Sequence, residues 1–152
     1  VPSLVLALNP KKPCKRIVLY YHDILFNGTD AANTTSTMIT NGSRALGSEF
    51  VMMVVVFDDP LTETVIFGHP IEAARAQGFY FYDRKKLIVH VKGTLNIMGA
   101  DPLPEKTRDL SVVGGTGDFF MARGIATFKN DEVEGDFYFR LQMDIKLYEC
   151  YN

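Results

Sequence analysis

The chain has 152 residues, 47% of them apolar and 22% charged, which suffices for one globular domain with a buried core and excludes a disordered or collagen-like chain. Its 16 basic and 18 acidic residues leave a formal net charge of -2 and are scattered along the chain, so there is no electrostatic footprint for a nucleic-acid partner. The longest apolar stretches, 51–57 and the broken run 1–8, are far short of the ~20 residues a membrane span needs, and no membrane partner is expected.

Taken in order, residues 1–12 read as an N-terminal extension to a single domain over 13–152. No charged-then-apolar leader is visible, so a secreted chain would be the mature form. Strands are predicted over 15–24, 49–57, 78–82, 87–98, 110–113, 119–129 and 136–148. The signals between them are Asn-Gly, Asp58-Asp59-Pro60, Gly68-His69-Pro70, Gly99-Ala100-Asp101-Pro102 and Gly114-Gly115-Thr116-Gly117, all read as turns. Only 70–76 reads as helical. The last strand is the clearest: Phe137, Phe139, Leu141, Met143, Ile145 and Leu147 alternate with polar or aromatic neighbours, the two-residue period of a half-buried antiparallel strand. Many short strands and almost no helix predict an all-β sandwich or closed barrel, and a closed barrel would leave no unprotected edge.

Cys14 and Cys150 have the wrong spacing for a metal knuckle or a Cys-x-x-Cys redox motif. They read either as an end-to-end disulfide of a secreted protein or as two free thiols of a cytosolic one. Three glycosylation sequons in one short stretch, at Asn27, Asn33 and Asn41, favour the secreted reading.

The common catalytic constellations are missing from the sequence. His22, His69 and His90 lie far apart without metal-ligand spacing, so no metal site is expected. The glycines of 114–117 match neither a dinucleotide fingerprint nor a P-loop, and there is no Gly-x-Ser-x-Gly elbow. What remains is a set of acids and aromatics. Asp23 ends an apolar strand and either points inward, as a proton donor among hydrophobic neighbours, or caps a turn. Phe79-Tyr80-Phe81-Tyr82 offers flat rings to a cavity or to ordinary core packing. Asp101 and Arg108 border one loop and would also serve as a structural clamp.

Longer motifs go further. Tyr21-His-Asp-Ile-Leu, Val56-Phe-Asp-Asp-Pro, Ala74-Arg-Ala-Gln-Gly-Phe-Tyr-Phe-Tyr-Asp, Gly93-Thr-Leu-Asn-Ile-Met-Gly-Ala-Asp, the run from Arg108 to Gly124 and Met143-Asp-Ile-Lys-Leu-Tyr-Glu-Cys-Tyr resemble plant dirigent proteins, in particular the pinoresinol-forming branch. The resemblance is strong over 13–35 and from 74 onward and weak over 36–73. It implies an antiparallel eight-stranded β-barrel, a secreted (apoplastic) homotrimer, and a disulfide between the end cysteines. It also implies stereoselective coupling of coniferyl alcohol radicals to pinoresinol, with the radicals supplied by an external laccase or peroxidase and no cofactor of the protein's own. Alternatives are a pterocarpan-synthase-like dehydratase, which would be a lyase, and a non-catalytic ligand- or sugar-binding barrel. By motif match Asp23, Asp101 and Arg108 fall on catalytic positions, and Tyr80, Tyr82 and Phe139 on substrate-binding ones. The chain departs from the family between Asp83 and Gly93, where about a dozen residues, a strand by the usual count, are missing. Closure of the barrel on that side is therefore in question.

Overall fold

The computed structural model describes residues 12–39, 54–65, 72–81, 84–91, 93–100, 105–135 and 137–150. Among these residues are nine strands: β1 (Lys15–Ile24), β2 (Ser36–Met38), β3 (Val54–Thr62), β4 (Glu72–Phe81), β5 (Arg84–Val91), β6 (Gly93–Gly99), β7 (Thr107–Gly115), β8 (Arg123–Glu134) and β9 (Tyr138–Glu149). They form one antiparallel sheet in the order β1-β9-β8-β7-β6-β5-β4-β3-β2, and β3 returns to pair with β1. Eight strands thus make a closed ring, with β2 as an added piece on β3. Closure leaves no long free edge on the ring.

Alternation decides which side chains fill the ring. On β9, Leu141, Met143, Ile145 and Leu147 are buried while the residues between them are half-exposed. The same phase buries Leu19 and Tyr21 on β1, Leu95 and Ile97 on β6, Leu110 and Val112 on β7, and Ala126 and Phe128 on β8, giving one continuous core. Apolar burial of this kind is the main stabilising term. The β1/β9 pairing runs from Lys15 opposite Leu147 to Ile24 opposite Tyr138, which brings the chain ends together. The Cys14 N–H extends that ladder to the Leu147 carbonyl at 2.8 Å, and Cys14 is bonded to Cys150 with their Cα atoms 6.3 Å apart. The end-to-end disulfide is therefore present.

Several elements differ from the sequence prediction. Residues 72–76, predicted helical, lie in strand β4, where Ala74 and Ala76 are buried and Arg75 and Gln77 are not. Alanine favours helices in isolation, but here pairing with β3 on one side and β5 on the other outweighs an intrinsic preference of a few tenths of a kcal/mol per residue, roughly. The strand predicted over 87–98 falls in two strands, β5 and β6, paired antiparallel with Val91 opposite Gly93. The strand in question is therefore present and the ring is not one strand short.

Asp58-Asp59-Pro60 is not a turn; it lies within β3. Proline is tolerated there because β3 changes partner at that point, from β2 at 55–57 to β1 at 61–62, so no ladder bond is lost on that side. The glycines of 114–117 end β7 and open a 3-10 turn, Gly117–Phe119, and β8 begins only at Arg123. A Cβ on Gly115 would stand 2.3 Å from the Phe119 carbonyl oxygen, which explains a glycine where the turn folds back on the strand.

Candidate functional site

The direction of each strand sorts the candidate residues to one end of the barrel. Asp23 lies near the end of β1 and faces Phe139 at the start of β9. Arg108 is the second residue of β7, and Tyr80 is the last but one of β4, opposite Val55 of β3 and Lys85 of β5. In an antiparallel ring these strand termini all belong to one mouth. The opposite end carries the disulfide and the 3-10 turn, with the Lys15 ammonium 4.5 Å from the centre of the Phe119 ring. A cleft of about 150 Å³ at that end, lined by Cys14, Phe119, Phe120 and Cys150 among others, is small beside the ~300–1,000 Å³ of typical ligand sites.

Asp23 is 5% exposed, which settles its orientation: it points inward, in phase with Leu19 and Tyr21. It sits where the wall forks. Tyr20 and Tyr21 pair directly with Thr62 and Leu61 of β3. Beyond them β2 enters between β1 and β3, with Ser36 bridged to Leu25 on one side and paired to Phe57 on the other. The buried Ser36 hydroxyl donates a hydrogen bond to Asp23 Oδ1. On β3, Asp59 is fully buried between Phe57 and Leu61 in the inward phase.

Arg108 is also buried, and its Nη1 donates to the Asn130 side-chain oxygen and to the Glu105 carbonyl at 3.3 Å. Asn130, on the neighbouring strand β8, was not among the residues predicted from sequence. Phe139 is half-buried at the mouth. Tyr82 and Asp101 lie outside the described residues, as does Asn41. Asn27 and Asn33 are exposed in the loop between β1 and β2. There Asn27 Oδ1 accepts from Thr29 Oγ1 at 2.7 Å, and Asn33 Nδ2 donates to Asp30 at 2.7 Å. Among the described residues no three His, Cys, Asp or Glu side chains are grouped to hold a metal, and no helix is long and apolar enough to cross a membrane.

Behind Asp23, on the outer face of the wall, His22 is fully buried. Its Nδ1 lies 2.8 Å from the Tyr138 hydroxyl, and its Nε2 lies 2.8 Å from Thr62 Oγ1, which donates onward to the Thr64 carbonyl. That onward bond makes Thr62 the acceptor from Nε2–H, leaving Nδ1 to accept from Tyr138. Burial first, and then the Arg140 charge, lower the His22 pKa to about 4. Because the folded value is below the ordinary 6.5, this imidazole costs no stability above pH 6.5, and the fold is progressively weakened as pH falls from 6.5 towards 4. The loss expected over that window is about 3 kcal/mol. Urea unfolding at pH 7 and pH 4 should show it in the unmodified protein and not in a His22→Gln variant; equal acid sensitivity of the two would remove the assignment.

Sequence reasoning missed Ser36, Asp59 and Asn130. Asp59 had a signal, since Val55, Phe57 and Leu61 set a two-residue period with Asp59 in the apolar phase. The adjacent proline masked it. Ser36 and Asn130 become site residues only through pairing with distant strands, and nothing local marks them.

Comparison with known proteins agrees with this architecture. The sequence model of the family described as "Dirigent-like protein" matches residues 14–148. "Dirigent protein 5" of Arabidopsis thaliana is 55% identical over 153 residues, covering 92% of this chain and 82% of that protein. "Dirigent protein" of Sinopodophyllum hexandrum is 47% identical over 162 residues, covering 95% and 83%. Among solved structures, the pterocarpan synthase dirigent protein GePTS1 superposes with a TM-score of 0.74 at 22% identity, covering 91% of this chain and 86% of that one. The barrel, its closing pairings and these sequence relationships lead to one conclusion: the chain belongs to the dirigent protein family.

Proposed function

We propose that this protein directs the coupling of coniferyl alcohol radicals to pinoresinol. The observation that carries the reading is Asp23, a carboxyl buried on the inner wall at the barrel mouth, at the same end as the buried Arg108. The motifs at 93–101 and 143–151 support the choice of branch. A separate laccase or peroxidase removes one electron and one proton from each alcohol. Two radicals held in one orientation then form a carbon–carbon bond between their side chains, giving a bis-quinone methide. In each ring closure a side-chain hydroxyl adds to the quinone methide carbon, its proton leaves, and a proton arrives on the carbonyl oxygen. Asp23 and Asp101 supply those protons and Arg108 steadies the developing phenolate, while Tyr80, Tyr82 and Phe139 place the rings. Orientation contributes most, because random coupling in water gives mixtures. The protein acts outside the cell as a disulfide-bonded, glycosylated homotrimer.

The test adds the protein to a laccase and coniferyl alcohol and resolves the product by chiral chromatography. One pinoresinol enantiomer in excess is the expected result, and an unchanged racemic mixture overturns the reading. A second arm incubates an isoflavanol with no oxidant; ring closure there would favour the dehydratase chemistry instead. Binding of sugars or lipids with no effect in either arm would mark a non-catalytic barrel.

A further inference from the structure

Arg108 is held from the strand beside it. β7 and β8 pair with Arg108 opposite Phe128, so Asn130, two residues further along β8, is the diagonal neighbour of Arg108 on the same face. That face is the inner one, because Asn130 is itself opposite the buried Leu141 of β9. Arg108 Nη1 donates to Asn130 Oδ1, and the Asn130 N–H donates to the Lys106 carbonyl at 3.2 Å, so both side chain and backbone of Asn130 are tied to the entry of β7. A guanidinium carries donors only, so the amide must turn its oxygen to Arg108.

The strand breaks its alternation directly after Asn130. Asn130 is opposite Leu141 and Glu132 is opposite Arg140, a bulge that leaves Asp131 as an extra residue. Under strict alternation Glu132 would follow Asn130 onto the inner face. The bulge instead sends it outward with Asp131, and both carboxylates bind Arg140 there, each at 2.6 Å. We propose that Asn130 is a positioning residue that holds the Arg108 guanidinium at the mouth, and that the β8 bulge serves this by setting a neutral amide beside Arg108 and turning the neighbouring acids outward.

The inference deepens the proposed function and rests on Arg108 as the group that steadies the developing phenolate. A long side chain that must first be immobilised contributes less, whereas one already held in place meets the charge as it develops. The Asn130 oxygen holds Nη1 from β8, and the Glu105 carbonyl at 3.3 Å anchors the same nitrogen from the backbone. An amide oxygen accepts from the guanidinium without cancelling its charge. A carboxylate in the same place would form an ion pair, and the phenolate would have to compete with it. The role of Asn130 runs through Arg108 and needs no contact with substrate.

Two measurements on the disulfide-bonded protein test this. Nitrogen-15 NMR of the arginine side chains, with Arg108→Lys to assign the signals, should show separate Nη resonances for Arg108, the mark of a guanidinium that does not rotate freely. They should merge in Asn130→Ala and stay separate in Asn130→Asp. In the coupling assay, Asn130→Ala should lower the ratio of favoured to disfavoured enantiomer at saturating protein by about tenfold, the weight of one hydrogen bond to a charged group. Asn130→Asp should lower it too, although Arg108 is still held, because the new charge offsets the guanidinium. Merged resonances in the unmodified protein, separate ones in Asn130→Ala, or full selectivity in Asn130→Ala overturn the positioning. Undiminished selectivity in Asn130→Asp overturns the part assigned to the neutral amide. If Asn130→Ala does not fold, the unmodified protein and Asn130→Asp decide. An Arg108 guanidinium released by Asn130→Ala in a protein that directs no coupling would uphold the positioning and reject only the functional reading.

Discussion

Replacing Cys14 and Cys150 together by serine is expected to reduce the unfolding free energy by about 4 to 5 kcal/mol. The bridge joins residues 136 apart in sequence, so it removes the loop-closure entropy of nearly the whole unfolded chain. It costs the folded state little, because the β1/β9 ladder from Lys15–Leu147 to Ile24–Tyr138 already holds these ends together. The Arg16–Asp144 pair at 2.8 Å adds little, being partly exposed to water. For a chain of this size the effect corresponds to a fall in melting temperature of roughly 10 to 15 °C. Urea denaturation of the double variant against the oxidised protein measures it. A difference below about 1 kcal/mol would mean that the unfolded chain gains little freedom when the bridge is removed, contrary to the chain-entropy argument.

The second large effect is functional. Asp23→Asn is expected to abolish directed coupling while leaving the melting temperature within about 2 °C, since the replacement is isosteric and surface or isosteric changes that keep their hydrogen bonds cost little. The Ser36 hydroxyl can still donate to the asparagine oxygen in place of Oδ1. What is lost is a carboxyl that can give and take a proton, which an amide cannot do near neutral pH. Asp101→Asn should behave in the same way, and Tyr80→Phe should reduce selectivity in part. Product chirality and thermal melts are read on the same samples. Full stereoselectivity in both asparagine variants would show that the cavity works by shape alone. Unfolding of both would make the aspartates structural clamps.

The parts of this fold that were legible in the sequence are those where local pattern and tertiary environment agree. The alternation from Phe137 to Leu147 reports a wall with one dry face, and that is where β9 lies. The end cysteines became informative because the first and last long strands are neighbours, as the structure shows. Misreadings arose where the two conflict. Ala74 and Ala76 look helical in isolation, yet their small side chains suit the crowded inner face of a strand paired on both sides. Asp59 was hidden in an Asp-Asp-Pro sequence that ordinarily signals a turn, and only the partner change of β3 makes room for it in a strand. Asp23 was named as a candidate from its apolar strand, but the hydroxyl that holds it comes from β2, which no sequence signal predicted.

The order of strands also bears on how the chain reaches this state. From β3 to β9 every neighbour in the ring is a neighbour in sequence, whereas the β1/β9 pairing joins the two ends of the chain. Hairpins between sequence neighbours form over short loops, while a contact between distant residues must first overcome the entropy of closing a long one. The assembly pathway therefore has a natural last step, in which a curled ribbon of hairpins captures β1 against β9. Until that step the mouth has no complete wall, so a nascent chain holds Arg108 and Asn130 in adjacent strands before it has brought Asp23 to Phe139.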